Sequence, residues 1–182
     1  NAIAGAITLD SGTIKIAGKD VTKLPEYKRA AYLGRVFQDP NMGTASQMNI
    51  EENMMLATRR TKKKTLKWGF NKEDREACIN KLKSLNLGLE NRLEQKVGLL
   101  SGGQRQAVTL LMATLERPDI LLLDEHTAAL DPKTAKVVLE LTSKIVEEEK
   151  ITTLMITHNM RDAIKYGNRL IMLNEGRVIF DI

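Results

Sequence analysis

Cysteine is almost absent from this chain, with Cys78 alone among 182 residues. A single thiol cannot bridge within the chain, so no disulfide framework holds the fold, and such usage fits a reducing compartment. Also missing is any apolar run near the roughly 18 residues that a membrane-spanning helix needs. A role at a membrane therefore has to come through a partner. Residues 1–12 contain no Lys or Arg and lead into a turn, which does not read as a signal peptide. No internal repeat or linker is visible. Neither sign of charge dominates, since 28 Lys and Arg against 23 Asp and Glu leave +5. That balance is compatible with an acidic partner but does not demand one. What the length allows is one domain with a full core and a small subdomain.

The stretch that organises the rest is LSGGQRQAVTLLMATLERPDILLLDEHTAALD, from Leu100 to Asp131. Ser101, Gly102 and Gly103 form a small-residue loop opening a helix. The first-turn N–H groups of a helix lack intrahelical partners and its dipole is positive there, so such a loop suits an anion. The helix carries Ala107, Leu110, Leu111 and Thr114 at helical spacing, and Pro118 stops it. Ile120 to Leu123 is a continuous apolar run of the kind found in strands covered on both faces of a parallel sheet. It ends in Asp124 and Glu125, at the strand end where open α/β sheets place ligands. Asp131-Pro132 then supplies an N-cap and a first helical residue. The following helix shows Ala135, Val138, Leu139, Thr142, Ile145 and Val146 on one stripe.

These residues resemble the ATP-binding-cassette (ABC) ATPases. Leu100–Gln104 looks like their signature loop, Ile120–Glu125 like their Walker B strand with its following glutamate, and Ala129-Leu130-Asp131 like their D-loop. Gln38, in RVFQDP, matches the Q-loop, and His158, after the apolar strand Ile151–Ile156, matches the switch histidine. The resemblance implies an α/β, P-loop NTPase-like (RecA-like) fold: a parallel sheet core with antiparallel hairpins and a helical subdomain. Residues 1–38 and 101–182 are expected to form part of the ATP-binding core, and 39–100 the α-helical subdomain.

Elsewhere the pattern predicts a hairpin from Ile7–Leu9 through the turn Asp10-Ser11-Gly12 to Thr13–Ile16. A second turn is expected at Gly18-Lys19-Asp20, and a helix from Pro25 towards Tyr32. Leu33–Phe37 reads as a strand delivering Gln38. A helix opens at Asn49–Asn53 and contains Met54, Met55, Leu56 and Ala57. Its methionines read equally as core or as adaptable docking surface. A second helix is capped by Asn71, with Ala77, Cys78, Lys81, Leu82 and Leu85 on its inner side. Between them, Arg59, Arg60, Lys62, Lys63, Lys64 and Lys67 form a basic run. A solvated face, membrane headgroups and nucleic acid are its readings, in that order. Ile151–Ile156 reads as a second buried strand, Met160–Tyr166 as a helix closed by Gly167, and Arg169–Phe180 as a hairpin around Asn174-Glu175-Gly176.

By resemblance, Asp124 would hold Mg²⁺, with Gln38 as a further oxygen ligand. Glu125 would be the general base on water, and His158 would contact the γ-phosphate of ATP. Ser101, Gly102, Gly103 and Gln104 would reach the nucleotide of a second cassette in a head-to-tail dimer, with Asp131 in the loop between. Transmembrane permease subunits are the other implied partners, at the cytoplasmic face of the cell membrane; nucleic acid is not expected. His126 stands where the family usually has proline and is given no role. Asn1–Gly5 reads as the last turn of a helix, and no match to the family's phosphate loop, G-x-x-x-x-G-K-S/T, occurs anywhere. The expectation is that the chain starts after that loop, so that the complete protein hydrolyses ATP and this piece alone does so negligibly. The segment GTASQMNIEEN is most like that of bacterial importer cassettes, including a group linked to amino-acid uptake. A soluble ABC ATPase of DNA repair lacks support, because no heptads precede the signature. A tandem translation factor would need two sets of motifs, and a non-catalytic cassette sits poorly with the presence of Glu125 and His158.

Overall fold

The computed structural model describes residues 1–60 and 72–182. Residues 1–6 close as a helix C-terminus does. Gly5 N–H donates to Ala2 O (3.1 Å) and Ala6 N–H to Asn1 O (3.1 Å), with Gly5 at φ +87°. That left-handed position favours glycine because a Cβ would be strained there. The buried Arg29 guanidinium seals the turn by donating to Ala2 O (2.7 Å), Ile3 O (3.0 Å), Thr22 O and Leu24 O. A cation on the exposed carbonyls of a helix end is favourable.

The N-terminal hairpin lies further along than the alternation suggested. β1 (Lys15–Ile16) pairs antiparallel with β2 (Lys19–Asp20) across Ala17 and Gly18, both at positive φ. Two left-handed residues between paired strands match the right-handed strand twist. Ile7–Leu9 is not a strand, and Lys19–Asp20 is a strand rather than a turn. A single turn, α1 (Glu26–Arg29), leads to β3 (Leu33–Val36).

A 3₁₀ turn at Pro40–Gly43 precedes α2 (Ile50–Thr58). Asn49 caps that helix with a reciprocal bond to Glu52. α3 (Lys72–Lys83) turns Cys78 and Leu82 inward. Ala77 and Lys81 face outward, against expectation, and Lys81 reaches Glu149 Oε1 at 2.8 Å. The run Lys62–Lys64, Lys67, Trp68 and the Asn71 cap lie outside the described residues. Of the methionines, Met54 is fully buried, whereas Met42 is exposed.

α4 (Gly102–Thr114) is the spine. One side packs with Ile50, Met54, Cys78, Leu82, Leu89 and Val97; the other packs with Val36, Leu121, Leu123 and Ile151. β4 (Ile120–Asp124) lies between β3 and β5 (Thr152–Ile156) in a parallel sheet, crossed by α5 (Pro132–Glu149). β5 is not the buried strand its apolar letters suggested. It ends the sheet order, one side is unpaired among the described residues, and Leu154 and Ile156 are exposed. α6 (Met160–Tyr166) and the hairpin β6 (Ile171–Asn174) and β7 (Arg177–Asp181) complete the chain. No described helix is long and apolar enough to cross a membrane.

Candidate nucleotide-hydrolysis site

Parallel pairing brings three loops to one edge. Val36 is level with Leu123, and Asp124 with Ile156. Gln38, Glu125 and His158 therefore all follow the C-terminal ends of adjacent strands, where open α/β sheets bind ligands. Glu125 sits at φ +44°, a left-handed conformation that is strained in a residue with a Cβ. Its N–H donates to Ile156 O (3.0 Å) and its carbonyl accepts from Ala128 N–H (2.9 Å). His158 Nδ1 lies 3.4 Å from Glu125 Oε2. Both face a cleft of about 510 Å³, lined also by Thr127, Leu130, Thr157 and Tyr166. A carboxylate beside an imidazole at an open cleft can orient and deprotonate water.

Asp124 keeps a half-exposed carboxylate, with Arg35 Nη2 at 3.9 Å. Arg35 also stacks on the Phe37 ring and donates to Asn1 Oδ1 (2.6 Å), so its charge is fixed near the strand ends. Among the described residues no group of three or more His, Cys, Asp or Glu forms a metal cage. Asp124 and the exposed Gln38 instead offer a sparse set of oxygen donors. That set suits Mg²⁺, which usually takes one or two protein carboxylates and completes its shell with water and phosphate.

Ser101, Gly102, Gly103, Gln104 and Asp131 form a second cluster, outside the cleft lining. Ser101 Oγ accepts from Gln104 N–H (3.3 Å), and Gln104 Oε1 accepts from Ser101 N–H (3.2 Å), a closed capping box. Asp131 accepts from Thr134 N–H (3.1 Å), and its hydrogen bonds with Thr134 hold its carboxyl below the usual range. The two helix starts touch: a Cβ on Gly103 would meet Thr134 Cγ2 at 2.1 Å, and one on Gly102 would meet Leu130 Cδ2 at 3.3 Å. Glycine at 103 is a condition of that approach.

Three residues passed over in the sequence matter here. Gln106, fully buried, donates to Phe37 O (3.1 Å) just before Gln38. Arg105 donates to Asn41 Oδ1, Gly98 O (2.8 Å) and Leu100 O (3.2 Å). Together they tie α4 to both sides of the Gln38 loop. An amide on the buried stripe shared with Ala107, Leu110 and Leu111 was the visible signal. His126, marked in the sequence only as a departure from the family's proline, is 2% exposed and lies 3.1 Å from Thr142 Oγ1 through Nε2. Burial pushes its imidazole down to about 4, so the ring is neutral.

The family model described as ABC transporter matches residues 1–128. A tyrosine transport ATP-binding protein of Clostridioides difficile is 48% identical over the whole chain, which spans 72% of that protein. The thiamine import ATP-binding protein ThiQ of Salmonella typhimurium is 35% identical over 98% of the chain and 71% of its own length. A methionine import ATP-binding protein, MetN of Streptococcus pneumoniae, is 34% identical over 97% of the chain, which spans 47% of that protein. Among solved structures, a dimeric post-hydrolysis ATP-binding cassette bound to ADP and Pi superposes with TM-score 0.79 at 28% identity, over 98% of this chain and 76% of that one. An ATP-binding cassette of an ABC transporter in its ADP conformation matches equally well, with TM-score 0.79 at 26% identity over 100% and 72%.

Proposed function

Because this chain belongs to the ATP-binding proteins of the ABC transporter family, whose members are ATPases, we propose that Glu125 and His158 carry out hydrolysis in an importer cassette. The single observation supporting this is their 3.4 Å approach at the C-terminal edge of the parallel sheet. Phosphoryl transfer to water needs mostly positioning and charge neutralisation. Glu125 takes the proton of the attacking water, and His158 donates to a γ-phosphate oxygen. Asp124, with Gln38, would hold Mg²⁺, which when bound would neutralise phosphate charge. Gln38 also senses the γ-phosphate, and Gln106 and Arg105 carry its loop's movement to α4.

Ser101, Gly102, Gly103 and Gln104 serve a second cassette's nucleotide in a head-to-tail dimer, with Asp131 fixing the loop between the two sites. Residues 1–38 and 101–182 act as core and 39–100 as the helical subdomain. The groove of about 570 Å³ between them, lined by Phe37, Met42, Leu56, Arg60 and Met112, supports docking of a permease subunit at the cytoplasmic membrane face. The higher identity to a tyrosine transport protein than to a thiamine importer favours an amino acid as cargo. The 182 residues contain no G-x-x-x-x-G-K-S/T loop to neutralise β- and γ-phosphate.

The test is Glu125→Gln in the complete protein. Hydrolysis is expected to fall to a small residual rate while ATP binding, read by equilibrium dialysis, persists. Unchanged hydrolysis rejects Glu125 as the base.

A further inference from the structure

Glu125 holds a strained backbone, and something must keep it there. Residues in sparsely populated φ/ψ regions persist only where their surroundings over-determine them. Its N–H is tied to β5 and its carbonyl to Ala128, within its own loop. The next side chain, His126, reaches a different element. Its ring is buried and meets Thr142 of α5, 16 residues on.

The direction of that bond follows from Thr142. The threonine hydroxyl hydrogen is already used, donating to Val138 O at 2.8 Å. The oxygen is left as an acceptor, so His126 Nε2 must carry the hydrogen. Thr142 cannot drift, because Val138 and Leu139 on the same helix face are buried. The loop from Glu125 to Asp131 is therefore pinned to α5 at both ends: Asp131 caps the helix start, and His126 is anchored ten residues along it.

We propose that His126 and Thr142 are positioning residues that hold Glu125 in its left-handed conformation and so aim its carboxylate at the cleft beside His158. This rests on Glu125 being the base. Neither residue touches the reacting atoms; both act through Glu125. Loss of the anchor lets residue 125 relax towards an ordinary backbone conformation, and its carboxylate swings out of line. Small misplacements of a reacting group cost large factors in rate.

The test compares Thr142→Val, Thr142→Ser and His126→Phe in the complete protein. Valine keeps the shape and removes the acceptor; serine keeps the acceptor; phenylalanine keeps a ring without the donor. Thr142→Val and His126→Phe are expected to lower kcat about tenfold with KM for ATP changed less than about twofold, and Thr142→Ser to restore it. Introduced into Glu125→Gln, Thr142→Val should cost nothing more of the residual rate, because its effect travels through the base. The proposal is overturned if both variants keep kcat within about twofold of the parent, if the loss adds fully to that of Glu125→Gln, or if kcat falls only in proportion to the folded fraction measured by circular dichroism. Loss of activity in Glu125→Gln alongside full activity in both Thr142→Val and His126→Phe sinks this inference alone. Full activity in Glu125→Gln sinks the base assignment and this inference with it.

Discussion

At the sheet edge the working side chains have few partners, whereas at the neighbouring pair of helix starts they are all engaged. Glu125 and His158 face an open cleft and each other. Ser101 and Gln104 satisfy one another, and Asp131 is committed to Thr134. The difference separates two kinds of site. On the reading proposed above, one does chemistry with side chains that local structure has left available, and the other offers backbone N–H groups and shape, with side chains spent on holding the loop. Failure at the first should be felt by the chain that carries it. Failure at the second should be felt by the partner's nucleotide.

That contrast can be broken most directly by complementation. His158→Ala in the complete protein is expected to lower ATPase activity on the order of 100-fold, as removal of a group acting on the proton or phosphate does. Ser101→Arg should be as inactive, by blocking the loop proposed to face the other cassette. A 1:1 mixture of the two should recover about one quarter of the parent rate, since half the symmetric-type dimers are mixed and each mixed dimer keeps one intact site. A mixture no more active than its components shows that both clusters serve the same nucleotide, and the contrast collapses.

A smaller effect tests the packing between the two helix starts. Gly103→Ala places a methyl group where Thr134 Cγ2 stands. Overpacking of this kind costs about 1–3 kcal/mol, and urea denaturation should show it. Thr134→Ser removes that same methyl group and should recover most of the loss in the double variant. If the double variant is as unstable as Gly103→Ala, the approach of the two loops is not what requires glycine.

The edge was readable from the letters because each part of it announces itself locally. Ile120–Leu123 is apolar on both faces and ends in two carboxylates, the mark of a parallel-sheet strand, though such runs do not name β3 and β5 as its neighbours. Asp131-Pro132 declared the start of α5. What escaped was set by tertiary context. The first hairpin turns on Ala17-Gly18 rather than on the more turn-like Asp10-Ser11-Gly12, because alanine occupies a left-handed position that sequence preference argues against. β5 has the composition of a central strand and lies at the edge of the described sheet. The contact between His126 and Thr142 spans 16 residues with no spacing rule to reveal it. The Gln38 loop was visible as a motif, but its ties to Arg105 and Gln106 appear only once α4 lies across β3.

The gentlest test uses the lone thiol. Cys78 packs with the residues on the helical side of α4, away from the sheet cluster. Burial, reinforced by the Glu51 carboxylate and opposed by Arg75, pushes its thiol up to about 11. In the unfolded chain the thiol ionises near its ordinary value; in the folded chain it stays protonated. Between about pH 9 and about pH 11 the unfolded state therefore binds fewer protons, and stability declines as pH rises through that window. At pH 8 the native thiol should react with iodoacetamide at least about 100-fold more slowly than in urea. If the helical side opens on its own, Cys78 should become reactive at lower urea than that at which the β4 amides lose hydrogen-exchange protection. If the two transitions coincide, α4 joins both clusters into one cooperative unit, and movement of the Gln38 loop must be transmitted by a rigid helix rather than by local melting.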